Sequence, residues 1–273
     1  MSGDLWPIHA RQWPLLGRPL RPGPEDVAPI EAEAASMHAV DPSAPLRALL
    51  LGVTPEIATM RWPAPTELLA VDRCAGMIAL VWPTSGLPRD ARAVRGDWRA
   101  LPAGDGSIDL AMGDGSLTPV AWPDDYRAIV AELRRVVRVG GRCVLRLFAA
   151  PREREDLAAV ARDLESGRIA SFHAFKWRLA MAVADGAPNV RLADVWAAWR
   201  EVVRDPPALL ARLGWPASLL ATIDVYRDAP ASYSFPPVDD VVRAFADGFV
   251  EVARHVPRYE LGDRCPTLVF RRA

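Results

Sequence analysis

The residues best suited to chemistry in this chain stand in four short stretches, each following an apolar run. Residues 46–51 (LRALLL) lead into Gly52-Val53-Thr54-Pro55-Glu56, and residues 66–71 (TELLAV) end on Asp72 with Arg73 beside it. Residues 91–94 precede Asp97-Trp98, and residues 107–112 precede Gly113-Asp114-Gly115-Ser116. Gly52 permits a tight turn through which the amides of Val53 and Thr54 can face a ligand. Asp72 follows at about the spacing where a carboxylate in such folds hydrogen-bonds a diol. Three acids on one crevice would repel a diphosphate, but they suit a ligand that bears hydroxyls, an amino group and a positive charge. Thr54 and Glu56 occupy the places where a pyrophosphate-binding turn needs glycines, which argues against a dinucleotide.

Such residues meet only if the elements before them form one sheet. Short apolar runs alternating with helical stretches describe a parallel sheet covered on both faces. The spacing predicts a helix over 124–141, with Asp124 as cap and Ile129, Val130, Leu133, Val136 and Val137 as its apolar stripe. Arg134, Arg135 and Arg138 complement the dipole at its end, and Gly140-Gly141 supply a left-handed stop. Residues 142–148 (RCVLRLF) follow as a central strand, with Arg146 near its carboxyl end. From 151 to 234 helical periods replace strand signals, predicting a helical insertion, or cap. A helix at 238–246, a run at 249–253 and a strand at 267–270 then restore the sheet pattern, the last pair suggesting an antiparallel edge strand. The expected fold is therefore α/β: a doubly wound, Rossmann-like, mostly parallel seven-stranded sheet with an antiparallel edge strand and a helical insertion. Residues 1–40 form an extended, proline-rich arm with a short helix at 25–37, residues 41–150 and 235–273 the α/β domain, and 151–234 the insertion.

Bulk properties narrow the function. The 273 residues are 51% hydrophobic, enough for a substantial core without staples. Lys and Arg total 33 against 34 Asp and Glu, so the formal charge of -1 gives no field to gather nucleic acid or an anionic membrane. Cys74, Cys143 and Cys265 lie far apart, unlike a metal site or a disulfide framework. Neither a targeting pattern at the start nor a membrane-length apolar run is seen. The expectation is a cytoplasmic protein with reduced thiols, no metal, and a small-molecule substrate.

The order of elements over residues 46–150 and 236–272, and above all the segment YRAIVAELRRVVRVGGRCVLRLF, resembles the class I S-adenosylmethionine-dependent methyltransferases. That resemblance implies S-adenosylmethionine as cofactor, with Gly52, Val53 and Thr54 along its methionine moiety and Asp72, next to Arg73, on the ribose hydroxyls. Asp97 and the Trp98 amide would read the adenine, while Asp114, Gly115 and Ser116 would face cofactor and acceptor. The family's first motif runs acidic-x-Gly-x-Gly-x-Gly; here Leu50 replaces the acid, and Thr54 and Glu56 replace the later glycines.

A sulfonium methyl needs in-line approach and a dry site more than an array of catalytic groups. The arm around Trp13 to Arg21 and the insertion are therefore expected to close over the crevice. For an oxygen acceptor, Asp114, Tyr126, His173 or Tyr233 could serve as base. Ser116, Tyr126, His173 and Trp177 are candidate substrate contacts, although His173, between aromatic neighbours, also reads as a packed histidine. Lys176 is expected to be solvated, and Trp196, Trp199 and Trp215 to build the core of the insertion. Two other readings remain open: a non-catalytic methyltransferase-like binding protein, which the altered glycine loop would suit, and a nicotinamide-dependent oxidoreductase, which the acidic crevice opposes.

Overall fold

The apolar runs pair side by side because each is too short for a helix and leaves both faces to be covered. The computed structural model describes residues 5–184 and 186–273; the first four residues of the expected arm, and Asp185 of the expected insertion, lie outside the described residues. Strands β1 (Leu46–Leu51), β2 (Thr66–Asp72), β3 (Asp90–Arg95), β4 (Ile108–Asp114) and β5 (Val137–Arg146) run parallel. β6 (Asn189–Arg191) and β7 (Ser232–Ser234) form a separate antiparallel ribbon. β8 (Phe249–His255) and β9 (Thr267–Arg272) complete a seven-stranded sheet in the order β3-β2-β1-β4-β5-β9-β8. β9 is antiparallel to both β5 and β8, so the reversed strand lies one place in from the edge and β8 is the edge itself. The strand order turns back between β1 and β4, which opens a crevice at their carboxyl ends.

Helices α1 (Trp6–Gln12) and α2 (Pro24–His38) precede the sheet, and α3 (Pro55–Ala58), α4 (Ala75–Val81) and α5 (Asp124–Val136) lie between its parallel strands. The insertion holds α6 (Leu157–Glu165), α7 (Phe172–Ala184), α8 (Leu192–Val202), α9 (Pro206–Leu213) and α10 (Ala221–Asp224), and α11 (Val238–Phe245) leads into β8. Alternation along the strands divides the core. Leu49 and Leu51 of β1 join the cluster under α5, whereas Ala48 and Leu50 join the opposite face with Ile30 of α2. A third cluster, around Phe172, Phe175 and Trp199, belongs to the insertion, with Trp196 and Trp215 packed against it.

Three expectations need correction. The arm is not wholly extended: α1 forms ahead of Pro14 and lies on α4, so close that a Cβ on Gly76 would stand 3.4 Å from Pro7 Cα. α5 ends at Val136, and Gly140-Gly141 sit inside β5 instead of capping the helix. There the register with β4 shifts, and a Cβ on Gly141 would meet Val137 Cγ1 at 2.8 Å and the Asp109 carbonyl at 2.9 Å. The pair thus serves a bulge: at Gly141 the backbones approach too closely for a side chain, and Gly140 supplies the φ of 77° beside it. Finally, the insertion carries the β6–β7 ribbon as well as helices, because three-residue strands are too short to show a period of two.

Candidate active site

At the carboxyl end of β1 the chain turns through Gly52, whose φ of 100° only glycine adopts readily. A Cβ there would lie 4.0 Å from both Asp72 Oδ2 and Trp98 Cζ2, so this turn, the end of β2 and the segment after β3 converge. The backbone N–H of Cys74 donates to Asp72 Oδ1 at 2.8 Å and fixes the carboxylate at the mouth of the crevice. Asp97 lies just past β3, with its carboxylate clasped by Arg99 at 2.7 Å and held below the usual range by that hydrogen bond. Trp98 turns its indole N–H onto the Val71 carbonyl at 2.6 Å, packing its ring across the crevice.

Two adjoining hollows result. The larger, about 900 Å³ of empty space including its open mouth, is lined by Leu51, Gly52, Val53, Thr54, Asp72, Asp114, Gly115 and Ser116 on the sheet side. The smaller is lined by Asp72, Arg73, Gly96, Asp97, Trp98 and Arg99. Asp72, Trp98, Trp6 and Pro119 border both, making one continuous cleft that brings the expected residues of the three acidic strand ends together.

The Asp114 side chain is buried at the end of β4, and its carboxylate pairs with the Arg146 guanidinium from β5. Burial pushes the Asp114 carboxyl up to about 6, although Arg146 pulls in the other direction. Arg146 also stands 3.0 Å from Asp26 of α2, donates to the Pro19 carbonyl of the arm, and donates to the Tyr259 hydroxyl at 2.9 Å. Tyr259 in turn donates to Asp26 at 2.8 Å. Burial opposes the charge on Arg146, but the neighbouring acids outweigh it and hold the guanidinium more firmly ionised than usual. One cation therefore ties arm, α2, sheet and C-terminal hairpin together behind the cleft.

The opposite wall comes from the arm and the insertion: Trp6, His9, Trp13, Leu16 and Leu20 from the first, Lys176, Trp177, Thr222, Tyr226 and Tyr233 from the second, with Phe148 between. Arg21 in the arm reaches Glu56 at 2.5 Å, so the acid that stands where the motif has a glycine anchors the arm over the β1 turn. Lys176 is the clearest departure from expectation. It is 2% exposed, not solvated; its ammonium donates to the Thr222 carbonyl at 3.0 Å and lies 5.2 Å from the Tyr226 ring centre. Burial lowers its pKa to about 7. The signal was present, since Lys176 follows Phe172 by one helical turn and precedes Leu179 on the same stripe.

Of the expected substrate contacts, Ser116 and Trp177 line the cleft, whereas Tyr126 and His173 do not. Tyr126 is buried beneath α5, edge-on to Trp122 at 4.9 Å, in the core of the sheet. His173 is buried with Nε2 2.9 Å from the Leu15 carbonyl, and burial lowers its pKa to about 4. It joins α7 to the arm. Tyr233, weighed as a base, does line the cleft, and burial raises its phenol to about 12. Trp6, His9, Phe148, Thr222 and Tyr226 also line it, although spacing alone does not single them out. The arginines Arg134, Arg135, Arg138 and Arg142 pair with Asp247, Glu132, Asp109 and Glu33. No helix of the described residues is long and apolar enough to cross a membrane, and no described group of three or more His, Cys, Asp or Glu side chains is arranged to hold a metal ion.

Residues 49–145 match the family described as methyltransferase domain. A search of curated proteins returns no match. Among solved structures, a SAM-dependent methyltransferase from Methanosarcina mazei aligns over 83% of this chain and 92% of its own at 15% identity and a TM-score of 0.50. The N-methyltransferase NodS from Bradyrhizobium japonicum, solved with S-adenosyl-L-homocysteine, aligns over 98% and 99% at 11% identity and a TM-score of 0.51. A chain from Rhodobacter sphaeroides, described as a candidate zinc-dependent alcohol dehydrogenase, aligns over 98% and 97% at 14% identity and a TM-score of 0.59. At these identities the likenesses concern the fold.

Proposed function

We propose that this chain, whose residues 49–145 match a methyltransferase domain, is a class I S-adenosylmethionine-dependent methyltransferase that transfers the cofactor methyl to a small-molecule acceptor held between the sheet and the insertion. The observation that carries this reading is the convergence of Asp72, Asp97 and Asp114 with Gly52 on one cleft whose other wall is apolar and aromatic. The residues fit the cofactor. The Gly52 turn leaves room for a ligand backbone, Asp72 is set to accept from a diol, and the hollow beside Asp97 and Trp98 suits a planar base.

Bound there, S-adenosylmethionine supplies an electrophilic methyl on a sulfonium centre. What the chain adds is position and dryness. Asp72 and the Gly52-Val53-Thr54 turn would hold the cofactor, with Asp114 and Ser116 between cofactor and acceptor. The arm, latched through Arg21 to Glu56, and the insertion wall of Trp177, Tyr226 and Tyr233 would exclude water and set the acceptor pocket.

The dehydrogenase likeness brings a second reading, use of a nicotinamide dinucleotide. Against it stand the acidic strand ends and a β1 turn with Thr54 and Glu56 where a pyrophosphate needs glycines. Calorimetric titration separates the two: S-adenosylhomocysteine is expected to bind and NADH not to. Binding of NADH alone would overturn the proposal, and cofactor binding without methyl turnover across a broad acceptor panel would favour a non-catalytic binding protein.

A further inference from the structure

The two walls of the cleft differ in polarity. The sheet side offers acceptors, the carboxylates of Asp72 and Asp114, with Asp114 held by Arg146. The wall from arm and insertion offers donors. Lys176 is buried there with its ammonium directed to the Thr222 carbonyl, and no ion pair joins it to an acid among the described residues. The indole N–H groups of Trp13 and Trp177, both on side chains that line the cleft, are buried without a hydrogen-bond partner. A buried donor left unmade costs free energy, on the order of 1–3 kcal/mol and more for a charged group, and the Lys176 ammonium, with one carbonyl partner and no paired acid, lacks a counter-charge. The rings of Trp177, Tyr226 and Tyr233 stand edge to face at 5.5 and 5.9 Å, leaving flat apolar surfaces around the ammonium. Flat walls favour a flat ligand.

We propose that this wall seats an anionic oxygen group carried on a planar ring, a carboxylate or a phenolate, with Lys176 Nζ as its counter-charge. The inference deepens the methyltransferase reading and rests on it, because it assigns the acceptor to the side of the cleft facing away from the cofactor turn. The titratable groups around Lys176 leave it as the one that changes charge near neutrality on this wall. His9 of α1 is lowered to about 4 by burial and by Lys176 itself, and the phenols of Tyr226 and Tyr233 are raised by burial. Across the cleft Asp114 titrates at about 6, with Asp72 as the other acid lining it.

The test is calorimetry on the intact protein with three probes: benzoate, 4-nitrophenolate and the neutral isostere benzamide. S-adenosylhomocysteine is titrated first, and failure to bind it removes the cofactor reading together with this one. With it bound, at least one of the two anions is expected to bind about ten-fold or more tighter than benzamide. At about pH 8 benzoate binding should take up a proton, seen by comparing buffers of different ionisation enthalpy, as Lys176 becomes charged. Lys176→Met, close in volume, should abolish the preference and the proton uptake while S-adenosylhomocysteine affinity stays within about two-fold. Equal affinities for anions and benzamide in the unmutated protein, no binding of any probe, or a preference that survives in Lys176→Met would each overturn the proposal and leave the cofactor reading standing.

Discussion

Asp72 and Lys176 line a single cleft under opposite electrostatic demands. Asp72, held by the Cys74 amide, is placed to accept from hydroxyls. Asp72→Ala is expected to weaken S-adenosylhomocysteine binding by about 1–3 kcal/mol, the range for a lost charged hydrogen bond, and isothermal titration would read this directly. Unchanged affinity would move the ribose elsewhere. Lys176 carries a stability consequence. Its folded pKa is about 7, whereas an unfolded lysine keeps its proton up to about 10.4. Between those values the unfolded chain binds more protons than the folded one, so stability rises with pH across that window, and below it the full penalty is present. Lys176→Met should therefore melt higher at neutral pH, by about 2–4 °C for each kcal/mol regained, and the gap should shrink as pH approaches 10. A melting temperature that falls at pH 7 would show that the ammonium is a stabilising partner. Asp72 was legible because strand-end acids have a spacing. Lys176 was only half legible: its place on an apolar stripe stands in the sequence, but a lysine there reads as solvated until the element covering it is known.

Among the elements, β5 carries the heaviest burden: its last residue, Arg146, joins the arm, α2, β4 and the C-terminal hairpin. Removing it would strand the buried carboxylates of Asp26 and Asp114. Breaking such a pair on one side costs about 3–5 kcal/mol, so Arg146→Met should lose stability of that order in urea unfolding. Arg146→Met combined with Asp26→Asn and Asp114→Asn should recover much of the loss; an equal loss in the combined variant would point to packing instead of stranded charge. β1, β2 and β4 were legible, since each is a buried apolar run that ends on or leads into a glycine or an acid. The bulge at Gly140-Gly141 was not, because a glycine pair after a helical stripe has the same local chemistry whether it stops a helix or lets two strands crowd. α1 was hidden for a different reason: its residues are ordered by contact with α4, a partner distant in the chain.

On the scale of the whole molecule, the cleft exists because a sheet that reverses its order leaves a crevice and two other parts of the chain come to roof it. The sheet supplies carboxylates, and the roof supplies aromatic rings and buried donors. That division was only half legible: the acids follow apolar runs in the sequence, whereas the roof residues are scattered from Trp6 to Tyr233 and meet only through the fold. The central claim is that the acidic strand ends hold a nucleoside without phosphate, with its sulfur turned toward the roof. A crystal structure with S-adenosylhomocysteine tests it most directly. Ribose hydroxyls should lie on Asp72, adenine in the hollow beside Asp97 and Trp98, and sulfur should face the cavity shared by Asp114, Trp177 and Lys176. A nucleoside bound away from Asp72, or sulfur directed away from that cavity, would contradict it.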